Sequence, residues 1–175
     1  MSRIAVIYKS KYGSTRKYAL WIAEELGATL IEATQVKHEQ LMSYDTVIFG
    51  GGVYAGSING LDKIIKAECK RLAVFTVGIA NPANTDYSEL LKKNFPKTKP
   101  ENLKVFHLRG ALDYSKLSLL HKGAMAVINK MVARAANVEQ SGEVRALQEL
   151  KGQSADFTKK DAVAPIIEYV RNKPV

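Results

Sequence analysis

Five short apolar runs, rich in β-branched or aromatic residues, recur along this chain with amphipathic or turn-forming sequence between them. That alternation narrows the fold more than any other feature, because it is the pattern of strand, crossover and next strand. The runs are Arg3 to Tyr8 (RIAVIY), Thr29 to Ala33, Thr46 to Phe49 (TVIF), Leu72 to Val77 (LAVFTV) and Leu103 to Leu108 (LKVFHL). Near-continuous apolar strands of this kind are buried on both faces, as in a parallel sheet covered by helices. Between them, Thr15 to Leu26 places Tyr18, Ala19, Ile22, Ala23 and Leu26 at helical spacing and stops at Gly27. Val36 to Ser43 reads as a small helix or loop. Leu61 to Lys70 reads as helical, with Leu61, Ile64, Ile65 and Cys69 on one side, and Tyr87 to Asn94 as a short helix. The expected architecture is an α/β three-layer sandwich: a five-stranded parallel sheet in the order 2-1-3-4-5, with its ligand site beyond the carboxyl ends of the strands.

One domain accounts for residues 1–175. The stretch from about 111 to 153 fits the alternation least and is expected to be an insertion before the last helix. Its positions Leu117, Leu120, Ala124, Ile128 and Met131 line one helical face. Between Arg109 and Arg134 five basic residues (Arg109, Lys116, Lys122, Lys130 and Arg134) stand against a single acidic one, Asp113. A basic amphipathic helix can lie on an anionic membrane; the same spacing also suits a helix packed on the sheet with its charges in water. For the last helix, Thr158 and Asp161 form a reciprocal capping pattern. Pro165, inside the following apolar pattern, either kinks that helix or brings its start closer to itself.

Several classes of function are excluded or demoted by the composition. A single cysteine, Cys69, rules out an internal disulfide or a paired-cysteine redox motif. No apolar run approaches the roughly 18 residues needed to cross a bilayer. No secretory leader precedes the first strand, so a cytoplasmic location is expected, with the inner membrane face as an extension of it. The formal net charge of +9 favours encounter with anionic partners without choosing among them. The aromatics form no stacking platform of the kind single-stranded nucleic acid needs, so no nucleic-acid partner is expected. His38, His107 and His121 are not at metal-ligand spacing, so no metal site is expected.

The most informative segment is Ser10-Lys11-Tyr12-Gly13-Ser14-Thr15, between the first strand and the first helix. Ser10, Ser14 and Thr15 offer hydroxyl donors, Gly13 permits a tight turn, and the following helix begins with free N–H groups and a favourable dipole. A phosphate monoester would be held there by backbone and side chains; a plain polar capped turn is the alternative. Neither a Walker A loop nor a Gly-x-Gly-x-x-Gly fingerprint occurs, so a monophosphate fits better than a triphosphate or pyrophosphate. After the third strand, Gly51-Gly52-Val53-Tyr54-Ala55-Gly56 suits a planar ligand: the glycines admit the ring and Tyr54 can stack on it or pack on its own loop.

Over Val6, Ile7, Tyr8, Ser10, Gly13, Thr15, Ala19 and Ile22 the chain resembles the flavodoxin family. The resemblance implies flavin mononucleotide (FMN) as cofactor. Its phosphate would meet Ser10, Ser14 and Thr15 and the amides of Lys11, Tyr12, Gly13, Ser14 and Thr15. Gly52, Val53, Tyr54, Ala55 and Gly56 would line one side of the ring, and Val77, Gly78 and Ile79 its pyrimidine edge. Tyr87 resembles the second stacking aromatic loosely. Where that family has a Gly-x-Gly-Asp run, this chain has Val77-Gly78-Ile79-Ala80-Asn81.

A closer resemblance is to the menaquinone-dependent protoporphyrinogen IX dehydrogenases, a flavodoxin-like group. It rests on Thr15-Arg16-Lys17, Gly51 to Ser57, and Arg109-Gly110-Ala111-Leu112-Asp113-Tyr114. It implies an oxidoreductase that takes electrons from a porphyrinogen or similar reduced substrate and passes them to a quinone or a redox partner protein. Asp113 and Tyr114 are the candidates for proton handling. The alternatives are a non-enzymatic electron carrier, whose relatives are typically acidic, and a basic membrane- or nucleic-acid-binding module without flavin.

Overall fold

The computed structural model describes residues 2–66, 69–95, 103–117, 119, 122–123, 126–127, 130, 142–150 and 153–172. In chain order the elements are β1 (Ile4–Lys9), α1 (Ser14–Leu26), β2 (Thr29–Glu32), α2 (His38–Leu41), β3 (Thr46–Tyr54), β4 (Ser57–Ile58), β5 (Leu72–Gly78), α3 (Ser88–Asn94), β6 (Leu103–Arg109), β7 (Ala111–Leu112), α4 (Gly142–Leu150), β8 (Ala155–Asp156) and α5 (Ala164–Asn172). The five expected strands form a parallel sheet in the order β2-β1-β3-β5-β6, which is the expected 2-1-3-4-5 path. β4 adds a short antiparallel strand to β3.

Strand periodicity sorts the core into two layers. Val6, Ile48, Ala73, Phe75 and Val77 project to the face covered by α1 and α5, where they meet Tyr18, Ile22, Ile166 and Val170. Ala5, Ile7, Val47, Phe49 and Val74 project to the other, against Leu41, Leu61, Ile64 and Phe95. Successive residues of one strand point to opposite faces, so a strand buried on both sides must be apolar throughout. Two buried polar side chains tie the layers. The Tyr18 hydroxyl donates to the Arg109 carbonyl at 2.7 Å and accepts from the Lys159 amide at 3.2 Å. The Arg71 guanidinium donates to Thr46 Oγ1 at 2.9 Å and to the Val170 carbonyl at 3.1 Å, joining the start of the sheet to α5.

Four expectations change. β3 does not stop at Phe49. It continues to Tyr54, because Gly50 and Gly51 pair with β1, Gly50 to Gly52 with β5, and Val53 and Tyr54 with β4. A Cβ on Gly50 would overlap the Phe75 ring, which explains glycine within a central strand. The Gly51 to Gly56 segment is therefore strand plus a hairpin turn: Ala55 (φ 48°) and Gly56 (φ 70°) join Tyr54 to Ser57, both with the positive φ that a two-residue hairpin turn requires. Among the described residues of the Leu61 to Lys70 stretch there is no regular helix. Leu61–Lys63 forms one 3-10 turn, and Ile64 and Ile65 both donate to the Leu61 carbonyl. The burial of Leu61 and Ile64 follows the expected face even so, because packing secures two side chains without nucleating a full helix.

The insertion departs from β6 and returns beside it: β7 pairs antiparallel with β8. Of its expected apolar face, Leu117 is buried; Leu120, Ala124, Ile128 and Met131 lie outside the described residues. Thr158 does not cap the last helix. Its amide and hydroxyl both bond Asp156 Oδ1, a 3-10 turn follows over Lys160–Val163, and α5 starts at Ala164 with Pro165 in its first turn. Proline is tolerated there because the N–H it lacks would have had no helical acceptor.

Candidate functional site

The carboxyl ends of β1, β3, β5 and β6 open on a cavity of about 840 Å³, a size typical of ligand sites. Ser10, Tyr12, Ser14 and Thr15 line one end of it. Gly13, at φ 100°, turns the chain sharply into α1. Ser10 Oγ accepts from the Gly13 amide and Ser14 Oγ accepts from the Ala111 amide, each at 3.1 Å. Each hydroxyl thereby keeps its own proton for donation. The first-turn amides of α1, Ser14 to Arg16, have no intrahelical acceptor, and no acidic residue offsets the positive end of this 13-residue helix. Such an arrangement can receive an anion. Lys11 and Gly13 belong to the loop without lining the cavity.

Gly52, Val53, Tyr54, Ala55 and Gly56 line the cavity from the hairpin, and Val77, Gly78 and Ile79 from the end of β5. Tyr12 meets the Tyr54 ring edge-on, centroids 6.3 Å apart at 63°. Burial, reinforced by Tyr12, pushes the Tyr54 phenol up to about 12 and keeps it protonated. Tyr87 also lines the cavity, but one face of its ring is already stacked on His107, at 3.6 Å and 3°. Burial drives the His107 imidazole down to about 4, and Thr76 Oγ1 bonds its Nδ1 at 2.7 Å. The ring is uncharged at neutral pH, which suits a neutral aromatic stack.

The far wall comes from the insertion, and sequence reasoning missed it. Leu117 and, from α4, Glu143, Val144 and Leu147 line the cavity. The only signal in the sequence was the i, i+3 and i, i+4 relation of Val144 and Glu143 to Leu147, which does not say what that face covers. Glu143 reaches the end of β5: the Ile79 amide donates to its Oε2 at 3.2 Å. Burial raises its pKa, opposed by the amides of Ile79 and Ala80. Its Oε1 is buried with no hydrogen-bond partner among the described residues.

Asp113 and Tyr114 are not among the residues lining the cavity. Asp113 caps a 3-10 turn instead: its Oδ1 accepts from the Ser115 amide and hydroxyl, and Lys116 lies 3.2 Å from Oδ2. The Ser115 and Lys116 contacts pull it down to about 2, so it is a fixed carboxylate at neutral pH and holds no proton to deliver. The Tyr114 amide donates to Ser154 Oγ, part of the closure of the insertion.

A doubly wound α/β domain whose first strand-to-helix turn presents hydroxyls and free helix amides to a cavity at the switch point defines the class. This chain belongs to the flavodoxin domain family, whose model matches residues 5–138. It is 32% identical over 94 residues to the uncharacterized protein MJ0298 of Methanocaldococcus jannaschii. That match covers 50% of this chain and 63% of the relative, so the chain spans less than two thirds of that protein's length. Among solved structures, it is similar to a WrbA-like flavodoxin from Agrobacterium tumefaciens (25% identity, TM-score 0.40, covering 47% of this chain and 64% of that one). A flavodoxin from the domain Archaea gives 15% identity and TM-score 0.45 over 97% and 99% of the two chains. A flavoprotein from Lactobacillus acidophilus in complex with FMN gives 16% identity and TM-score 0.44 over 62% and 93%.

Proposed function

We propose that this chain binds FMN in the switch-point cavity and works as an oxidoreductase on an apolar redox substrate. One observation carries the reading: the hydroxyl-bearing Ser10, Ser14 and Thr15 and the aromatic ring of Tyr54 line the same cavity. The residues fit the cofactor. Hydroxyl donors and free helix amides suit a phosphate monoester, and a Cβ on Gly52 would overlap the Tyr54 ring, so glycine there lets that ring lie along the cavity wall. When bound, FMN supplies the electron transfer itself. The protein holds the phosphate through Ser10 and Thr15, covers one ring face with Tyr54, and excludes water with Leu117, Val144 and Leu147.

That apolar wall supports a hydrophobic donor or acceptor such as a porphyrinogen or a quinone. An anionic lipid surface as the place where they meet has its own support. Residues 119, 122–123, 126–127 and 130 carry helical backbone, and on that face Leu119 is 87% and Val127 58% exposed beside exposed Lys122 and Lys130.

The first test is the absorption spectrum of purified protein with added FMN, expected to show one flavin per chain after excess is removed. Ser10→Ala with Thr15→Val is expected to weaken FMN binding at least about 10-fold, since hydrogen bonds to a charged group are the strong ones. Riboflavin, which has no phosphate, is expected to bind the variant and the parent alike; equal losses for both ligands defeat the phosphate contact. Anaerobic bleaching of the flavin by a porphyrinogen and its recovery with a menaquinone analogue test the substrate class, and failure of both reactions removes it.

A further inference from the structure

We propose that Ser14 couples the two ends of the cavity: an anion bound at the Ser10 to Thr15 turn tightens the neck of the insertion, and the neck in turn strengthens anion binding. This rests on the anion-binding reading of that turn and extends it to the far wall. The insertion leaves the sheet through Arg109 to Leu112 and returns through Ala155 to Lys159, with Ala111 paired to Asp156. Both legs are seated on one face of α1, made by Ser14, Lys17 and Tyr18 at i, i+3 and i+4. Ser14 Oγ accepts from the Ala111 amide on the outgoing leg at 3.1 Å. Lys17 Nζ donates to Thr158 Oγ1 at 2.7 Å and to Asp156 Oδ2 at 3.4 Å on the returning leg. The Tyr18 hydroxyl joins the two legs through the Arg109 carbonyl and the Lys159 amide. A Cβ on Gly110 would overlap Val77, so glycine there lets the outgoing leg pass between Val77 and Ser14.

Of these three anchors only Ser14 also lines the cavity, together with Gly110, Ala111 and Leu112 of the outgoing leg. Its hydroxyl is therefore where a ligand and the neck meet on one group. A hydroxyl has one donor and two acceptor sites. With the Ala111 N–H on the oxygen, the Ser14 proton is left to donate to an anion. Donating to a charged acceptor makes the oxygen a stronger acceptor in turn, so the two bonds reinforce each other. Coupling of this kind is reciprocal: whatever factor the anion adds to the stability of the neck, the neck adds to anion affinity. Ser10 lacks the link, since its Oγ accepts from the Gly13 amide within the turn. The neck positions the residues that complete the cavity: Leu117 follows β7, and α4, with Val144 and Leu147, precedes β8. An occupied turn thus firms the apolar wall on which a substrate would lie, and a ligand without the anion does not.

The test is amide hydrogen exchange with FMN, riboflavin or inorganic phosphate, each at saturation. It is read at Ala111 and at Phe157, whose amide donates to the Gly110 carbonyl at 3.2 Å. Amides of β3 and β5 are the reference, since any ligand slows exchange there through general stabilisation. Relative to them, FMN and phosphate are expected to slow both neck amides about 3-fold or more beyond riboflavin, near the lower end of coupling between sites. Ser14→Ala is expected to bring the FMN and riboflavin values within about 1.5-fold of each other. A purely structural serine would raise exchange equally in every state and leave the difference intact. Ser14→Cys, of similar bulk and a weak hydrogen-bonding group, takes its place should the alanine fold poorly. Ser10→Ala is expected to weaken FMN binding yet keep the difference at saturation. Equal protection by FMN and riboflavin in the parent, or a difference that survives at position 14, overturns the coupling and leaves the FMN reading in place. If neither flavin binds, phosphate decides: slowed neck exchange keeps the coupling while the FMN reading falls, and unchanged exchange removes both.

Discussion

His107 stands where burial and stacking both favour the uncharged ring. Its pKa is pushed from 6.5 down to about 4 by burial, so between those values the unfolded chain carries the proton that the folded chain refuses. The stability tied to the neutral ring is complete above about pH 6.5 and is lost as pH falls toward 4. A His107→Gln variant is expected to flatten that part of the stability profile, and the ring protons of His107 are expected to titrate near 4 by NMR; titration near 6.5 would disprove the burial argument. Gly50 makes a second point at this scale. Gly50→Ala is expected to cost about 1–3 kcal/mol in urea denaturation, because the new methyl must displace the buried Phe75 ring. A loss near zero would mean that the ring repacks freely. Residue identities in the sequence single out Gly13 and Tyr54. They do not reveal Gly50's debt to Phe75, which comes from the pairing of Gly50 with Phe75 across β3 and β5.

Among the elements, α1 does most to position the cavity. It presents hydroxyls and free amides at its first turn and ties the end of β6 to the approach of α5 through Tyr18. Tyr18→Phe leaves the Arg109 carbonyl and the Lys159 amide without this partner. The expected loss is about 1–3 kcal/mol, read as a lower denaturation midpoint; an unchanged midpoint would mean that water satisfies both groups. α1 was legible because its apolar face, its glycine boundaries and its place after β1 all agree. The Leu61 segment was legible in its buried face and not in its form, since spacing alone does not separate a helix from a 3-10 turn held by packing. α4 was the hardest to read, because Val144 and Leu147 show only that one side is apolar, and what that side covers depends on where the β7–β8 pairing returns the chain.

For the whole molecule, the net charge of +9 and the exposed Leu119, Lys122, Val127 and Lys130 face bear on the proposed membrane contact. Co-sedimentation with vesicles containing phosphatidylserine is expected to exceed that with neutral vesicles and to fall as salt rises. Charge reversal at Lys122 and Lys130 together is expected to weaken binding at least about 10-fold; indifference to lipid charge would remove the proposal. Among the described residues no helix is long and apolar enough to cross a membrane. By itself the sequence determined the alternation of strands and crossovers, the parallel sheet and the hydroxyl-rich turn at Ser10 to Thr15. Those features depend on local periodicity and on residues adjacent in the chain. Only the tertiary structure decided that β3 runs on to Tyr54, that Asp113 is a cap outside the cavity, and that Glu143 reaches Ile79 across 64 positions of chain. Such contacts are set by strand register and by the path of an insertion, and neither leaves a periodic trace in the order of the residues.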